Sequence, residues 1–432
     1  MTFFLFPFAC SGARRSNTIE FWGLGREGEV VAQLLPQFEK ETGIHVDLQQ
    51  IPWTAAHEKI LTAHVGGSLP DALQAGNSWM SELVTIDAIV PLEETLVDRR
   101  DYFAGIWETN VVGGTLYGIP WYVDTRLLFY RTDMIPVPPR TWSEWVAVMA
   151  KLRREHPSPD FYPIVMPTNE WPQPVILALQ RGAVLVDDNA QARFDDPRFL
   201  EGFRFYVDLF RHRYAPAVSN TQVANIYQQF GEGQFAMFIS GPWDIGNLRT
   251  RLTAKQQQTW STAPLPAPDG TPYPGVSLAG GSSLVVSKRS EKQEAAKKLI
   301  AFLSRPDVQS RFYELTGDLP ARKSAWRALE GDRELAAFGT QLDRTVALPR
   351  LPEAENIVNA VAEHGQMAVR GQATPREAAL ALNTKIDKML EKRRWVLQQN
   401  RASMERRPPP AAEVVERRPP SAAGVVERRP PP

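Results

Sequence analysis

Trp22, Trp79, Trp121, Trp171 and Trp243, five of the chain's 12 tryptophans, follow or interrupt a predicted strand end or open a helix. In α/β chains these positions turn side chains toward a ligand. An indole covers the flat C–H face of a pyranose, while neighbouring carboxylates, amides and arginines take up its ring of hydroxyls. Core packing is the competing account of any one tryptophan, since Trp is highly buried on average.

Other patterns of reactive residues point elsewhere only weakly. Gly23, Gly25 and Gly28 fit G-x-G-x-x-G between a strand and a helix, the formal dinucleotide fingerprint. Glu27 would then put a negative charge where a pyrophosphate must sit. Asp47 lies inside its strand, not at the carboxyl end where a ribose-binding acid belongs. The same turn suits a neutral polyol, whose hydroxyls Glu27 can accept from. There is no G-x-S-x-G elbow and no P-loop, and His57, Glu58 and His64 have the wrong spacing for H-E-x-x-H zinc ligation. Six histidines and one cysteine argue against a metal site. The pairs Asp187-Asp188 and Asp195-Asp196 read as turn and cap residues.

The elements needed to hold the tryptophans are legible. Thr18 to Trp22 reads as a strand and Glu27 to Thr42 as an amphipathic helix closed by Gly43. Residues 44–51 alternate as a second strand, and a helix over 53–65 stops at Gly66-Gly67. This β-α-β-α opening predicts an α/β sheet with helices on its faces. Further strands are expected at 115–119, 125–131, 235–239 and 283–287, and mostly helix from 291 to 399. Thr141 with Glu144 and Thr374 with Glu377 form capping boxes, and Asp196 caps a helix that opens at Pro197.

The 432 residues imply two domains of ordinary size. With 49 basic and 49 acidic residues there is no cationic excess for a nucleic-acid partner, and neutral ligands fit better. Cys10, the single cysteine, follows an apolar run ending Ala9-Cys10-Ser11-Gly12. That resembles a lipoprotein signal with Cys10 as the lipidated residue, although the stretch has no basic n-region. No other segment reaches the length of a membrane span. The expected location is the periplasm or the outer face of the cytoplasmic membrane. From Met404 a Glu-Arg-Arg-Pro-Pro unit recurs, and residues 404–432 read as a disordered tail.

The segments IEFWGLGREGEVVAQLLPQFEKETGIHVDLQQIPW, LYGIPWYVDTRLLFYRTDM, TWSEW, GQFAMFISGPWDI, PGVSLAGGSSLVVSKRSEKQEAAKKLIAFLSRPDVQ and LPRLPE follow one another in order. They resemble the extracellular solute-binding proteins (family 1) of carbohydrate ABC importers, nearest the maltose and trehalose branch, over about residues 17–395. The resemblance implies a two-lobed, type II-like periplasmic-binding-protein fold. Each lobe would be a mixed, mostly parallel sheet flanked by helices, with a hinge between lobes. Residues 17–122 plus 280–330 would form the first lobe and 123–279 plus 331–398 the second.

It further implies that Glu27, Gln50, Asn77 and Trp79 bind from the first lobe and Trp121, Tyr122 and Asp124 near the hinge. Trp243 would stack on the sugar, Gly280 and Gly281 would let backbone amides approach it, and Arg350 would donate to a hydroxyl. Gly76 stands where relatives often carry Asp, leaving Asn77 or a water to make that contact. The function implied is non-enzymatic capture of a di- or oligosaccharide, such as maltose or trehalose, by a monomer that delivers it to membrane permease subunits, with no cofactor. A glycoside-active enzyme using Glu27 or Asp124, and a binder of a phosphorylated polyol, are the alternatives.

Overall fold

The computed structural model describes residues 17–405, with the exception of 224 and 330. Cys10 and residues 406–432 therefore lie outside the described residues. The chain divides into two compact units, one ending at Leu390 and the other beginning at Glu391. The described part of the second is the helix Glu391–Glu405, which takes in Met404 and Glu405, the start of the expected tail.

The first unit is built on two sheets. The strands, numbered along the chain, are β1 Thr18–Leu24, β2 His45–Ile51, β3 Ala72–Gly76, β4 Ile119–Asp124 and β5 Leu127–Arg131. They continue as β6 Tyr162–Val165, β7 Phe235–Ser240, β8 Trp260–Ala263, β9 Gly280–Val286 and β10 Leu319–Pro320. The order β10-β4-β9-β3-β1-β2 forms a six-stranded sheet, and β8-β5-β7-β6 a four-stranded one. Both are mixed. β1 runs parallel to β2 and β3, whereas β9 enters antiparallel between β3 and β4, and β10 opposes β4. In the second sheet β6 and β7 are parallel, and β5 opposes β7 and β8.

Period-two alternation explains how helices cover both faces. On β1, Ile19 and Phe21 pack with Val30, Val31, Phe38 and Phe302, while Trp22 and Leu24 face Ala56, Ile60 and Leu83. On β5, Leu128 and Tyr130 meet the helices Trp142–Glu155 and Pro197–Arg211. Leu127 and Phe129 point the other way, into the cluster that also holds Phe21. Phe129 stacks on Phe238 at 4.8 Å.

The expected helix over 27–42 is two helices, Gly25–Val31 and Leu35–Thr42. Pro36 has no amide to continue the ladder and its ring crowds the preceding turn. Gly43 closes the second at φ 71. Both capping boxes and the Asp196 cap form as expected. The expected strand at 115–119 splits into Thr115–Leu116 and the start of β4.

In the helix Pro197–Arg211, Gly202 lies directly on Leu177 and Ala178 of the helix Pro172–Gln180, where a Cβ would overlap their backbone. Gly202→Ala is expected to destabilise the fold by about 1–3 kcal/mol through overpacking, which chemical denaturation would read; an unchanged midpoint would show that the helices separate freely.

Candidate functional site

A cleft of about 490 Å3 opens where the ends of β3, β4 and β9 face the start of the helix Trp243–Arg251. Its floor is a carboxylate. Glu27 stands in the first turn of the helix Gly25–Val31, which begins at a tight approach of Gly23 to Gly28, where a Cβ on Gly23 would come within 2.6 Å of Gly28 Cα. Its Oε1 accepts from the Tyr122 hydroxyl at 2.8 Å, and Trp53 Nε1 donates to its two oxygens at 3.2 and 3.1 Å. Burial first, and then the charge of Glu27, push the Tyr122 hydroxyl pKa well up, so Tyr122 stays a donor.

Aromatic faces line the walls. Trp79, in the turn Asn77–Trp79, meets Trp53 edge-on at 5.6 Å and lies 4.9 Å from His57. Across from them stand Trp171 and Trp243, the latter 45% exposed at the head of its helix. The Arg126 guanidinium covers one face of Trp243 at 4.5 Å and donates to Asp124 Oδ1 at 3.1 Å. Asp124, Arg126 and Trp243 thus form one contact chain along the cleft.

Of the residues singled out by the sequence, Glu27, Asn77, Trp79, Tyr122, Asp124, Trp243, Gly280, Gly281 and Arg350 all line this cleft. Some of them are already engaged. Asn77 Nδ2 donates to Gly280 O at 3.2 Å and its Oδ1 accepts from Ser283 at 2.7 Å, so its amide braces β9. Gly280 and Gly281 leave room for protein: a Cβ would overlap the Asp124 carboxylate at the first and the Tyr122 carbonyl at the second, where φ is 115. Arg350 donates to Glu108 at 3.1 Å and to Val111 O at 3.0 Å. Gly76 sits under the Trp79 ring, 3.1 Å from where its Cβ would be, so this cleft has little room for the Asp of relatives.

Three expectations fail. Trp121 is fully buried and stacks on Phe312 at 4.5 Å, because alternation along β4 turns it into the core. Gln50 lies outside the cleft: it is exposed and donates to Gly25 O and Glu29, while its neighbour Ile51 is the buried residue of that strand end. Trp22 likewise packs away from the cleft, beneath the Lys59 ammonium at 4.8 Å.

Four residues of the site were missed. Trp53 had the signal used for the others, an indole opening a helix. Arg126 stands two residues after the singled-out Asp124. Glu355, bonded to Ser78 across more than two hundred residues, and Asp318 had no local signature. Among the described residues no cluster of His, Cys, Asp and Glu could hold a metal.

Burial first and Glu27 second push the Asp318 carboxyl up to about 7. A carboxyl raised in the fold stabilises it while protonated. That contribution is complete below about pH 4 and is lost as pH rises through about 7. Asp318→Asn is therefore expected to raise the melting temperature at pH 8 and to change it little at pH 4; an equal shift at both would contradict the assignment.

The bacterial extracellular solute-binding protein family matches residues 22–310. The sugar-binding protein MalE from the phytopathogen Xanthomonas citri superposes with a TM-score of 0.85 at 43% identity, covering 88% of this chain and 99% of that one. The diacetylchitobiose binding protein DasA of Streptomyces coelicolor is 23% identical over 83% of this chain and 86% of its own length. The maltotriose-binding protein of Pyrococcus abyssi is also 23% identical, over 66% of this chain and 63% of its own length, a little under two thirds. These relatives are binding proteins, and the glycosidase alternative is set aside with them. A two-sheet α/β fold, an aromatic cleft and a match over most of the chain converge: this chain belongs to the bacterial extracellular solute-binding protein family.

Proposed function

We propose that the chain is the substrate-capturing subunit of an ABC importer for a neutral di- or oligosaccharide, an α-glucoside such as maltose or trehalose being the first choice. One observation carries this reading: Trp53, Trp79, Trp171 and Trp243 surround a cleft whose floor is the hydrogen-bonded carboxylate of Glu27. Stacking faces and charged acceptors are what a pyranose requires. Relatives named for sugar binding support it. An anionic polyol fits less well, since Arg126 is paired with Asp124 and Arg350 with Glu108. The partners of this reading are membrane permease subunits, and the protein acts as a monomer on the outer side of the cytoplasmic membrane. Among the described residues no helix is long and apolar enough to cross a membrane.

The lobes of this reading are 17–122 plus 280–330 and 123–279 plus 331–398. The division is supported by the helix Arg333–Leu342, which is tied to the second sheet through Thr262 to Glu334 O at 2.7 Å. It is also supported by the helix Ala354–Val369, which packs with the cluster around Phe203. The hinge runs through 122–126 and 277–281. A sugar that touches both lobes binds the closed arrangement better and shifts the population toward it.

Calorimetry against mono-, di- and trisaccharides tests the function. Trp243→Ala is expected to cost about 2–4 kcal/mol of binding, roughly thirty-fold to a thousand-fold, with the melting temperature of the free protein preserved. Wild-type affinity in the variant would remove Trp243 from the site. Small-angle scattering should show a smaller radius of gyration with saturating sugar, and an unchanged radius would sink the hinge.

A further inference from the structure

The two carboxyls at the floor of the cleft are treated unequally by their surroundings. Glu27 receives both nearby donors, the Tyr122 hydroxyl and Trp53 Nε1. Asp318 receives neither. It follows Gly317, which takes φ 84 at the end of the helix Pro306–Thr316, and its carboxyl lines the cleft at the head of β10. The Thr316 hydroxyl beside it already donates to Phe312 O at 2.8 Å and accepts from the Asp318 amide at 3.0 Å.

Among the described residues no cation is paired with Asp318. From β4 it faces Tyr122 and Asp124, and Arg126, which lines the same cleft, is held by Asp124. From the helix Gly25–Val31 it faces Glu27. In the segment after β10, Arg322 is paired with Asp101 and Lys323 with Asp343. Arg327, the remaining charge there, forms no ion pair with Asp318 among the described residues. A carboxyl beside two others, largely withdrawn from water, favours its neutral form; the Thr316 hydroxyl beside it pulls the other way, but burial and the charge of Glu27 are the larger effects. A neutral acid offers an O–H that a carboxylate lacks.

We propose that Asp318 meets the sugar as a neutral carboxylic acid, donating a hydrogen bond to a sugar oxygen, so that capture is coupled to one proton. This rests on the sugar-binding reading above. Glu27 then serves as the acceptor for sugar hydroxyls and Asp318 as the donor, which gives the floor a polarity that fixes the orientation of the ring. At neutral pH the proton comes from solvent as the sugar binds.

Calorimetric titration of the full chain with maltose and with maltotriose, at pH 6, 7 and 8 in buffers of different ionisation enthalpy, tests this. With a carboxyl near 7, affinity should fall about tenfold from pH 6 to pH 8, with about half a proton taken up per ligand at pH 7. Asp318→Asn, whose amide donates without titrating, should flatten the pH profile and abolish proton uptake. Asp318→Ala should weaken binding roughly tenfold at pH 6, the cost of an unmet hydrogen bond. Glu27→Gln, which removes the neighbouring negative charge, should lower the Asp318 pKa and move the fall in affinity to lower pH; an upward shift would contradict the coupling. Melting curves establish that each variant is folded. Equal affinity at pH 6 and pH 8 without proton exchange, or a pH dependence retained in Asp318→Asn, overturns the proposal while sugar binding stands. Failure of both sugars to bind wild-type protein at any pH overturns the sugar reading and this inference with it.

Discussion

β9 is the constraint on which the site depends. It enters the six-stranded sheet in reverse, with hydrogen-bonded neighbours on both sides, β3 and β4. A strand so placed has no free edge and cannot slip by one residue without turning its buried face outward. Its first residues pass so close to β4 that a Cβ at Gly281, where φ is 115, would overlap the β4 backbone, and one at Gly280 would displace the Asp124 carboxylate. That approach sets the positions of Asp124 and Tyr122, and through Ser283 and the Gly280 carbonyl it orients Asn77. Tyr122 in turn holds Glu27. A chain segment from beyond residue 279 thus arranges groups contributed by three earlier ones.

The electrostatics of the cleft follow from this arrangement. Glu27, Asp124, Asp318 and Glu355 line it, against Arg126 and Arg350, and both arginines are already paired. An anion would have to break one of these pairs and face the remaining carboxyls. A polyhydroxylated neutral ligand faces neither cost, because each of its hydroxyls both donates and accepts. The arginine that pairs with Asp124 also lies on Trp243. The stacking surface is therefore positioned by the same groups that set the charge.

How much of this was legible depended on whether the cause was local. Helix ends were, since a capping box or an αL glycine acts within a few residues: Thr141 with Glu144, Thr374 with Glu377 and Gly43 all behave as their types dictate. The split of the helix at 32–34 was also local, and Pro36 was there to be read. Residues on opposite faces of one strand were harder. Trp121 and Tyr122 are adjacent and both aromatic, yet one is core and the other reaches Glu27, and only the packing of Phe312 against the strand decides which. Motif resemblance carried Gln50 into the site although the side chain turns back to Gly25 and Glu29. Asp318 and Glu355 lay beyond reach, since their place in the cleft is set by partners far away in sequence.

The central claim is that one sugar lies between the tryptophans and the Glu27 floor. A crystal structure of the protein grown with maltose tests it most directly. The account requires a pyranose ring stacked on Trp243, with hydroxyl or ring oxygens within hydrogen-bonding distance of Glu27 and Asp318. Sugar bound elsewhere, or a cleft still filled with solvent at saturating maltose while sugar is bound in solution, would contradict it.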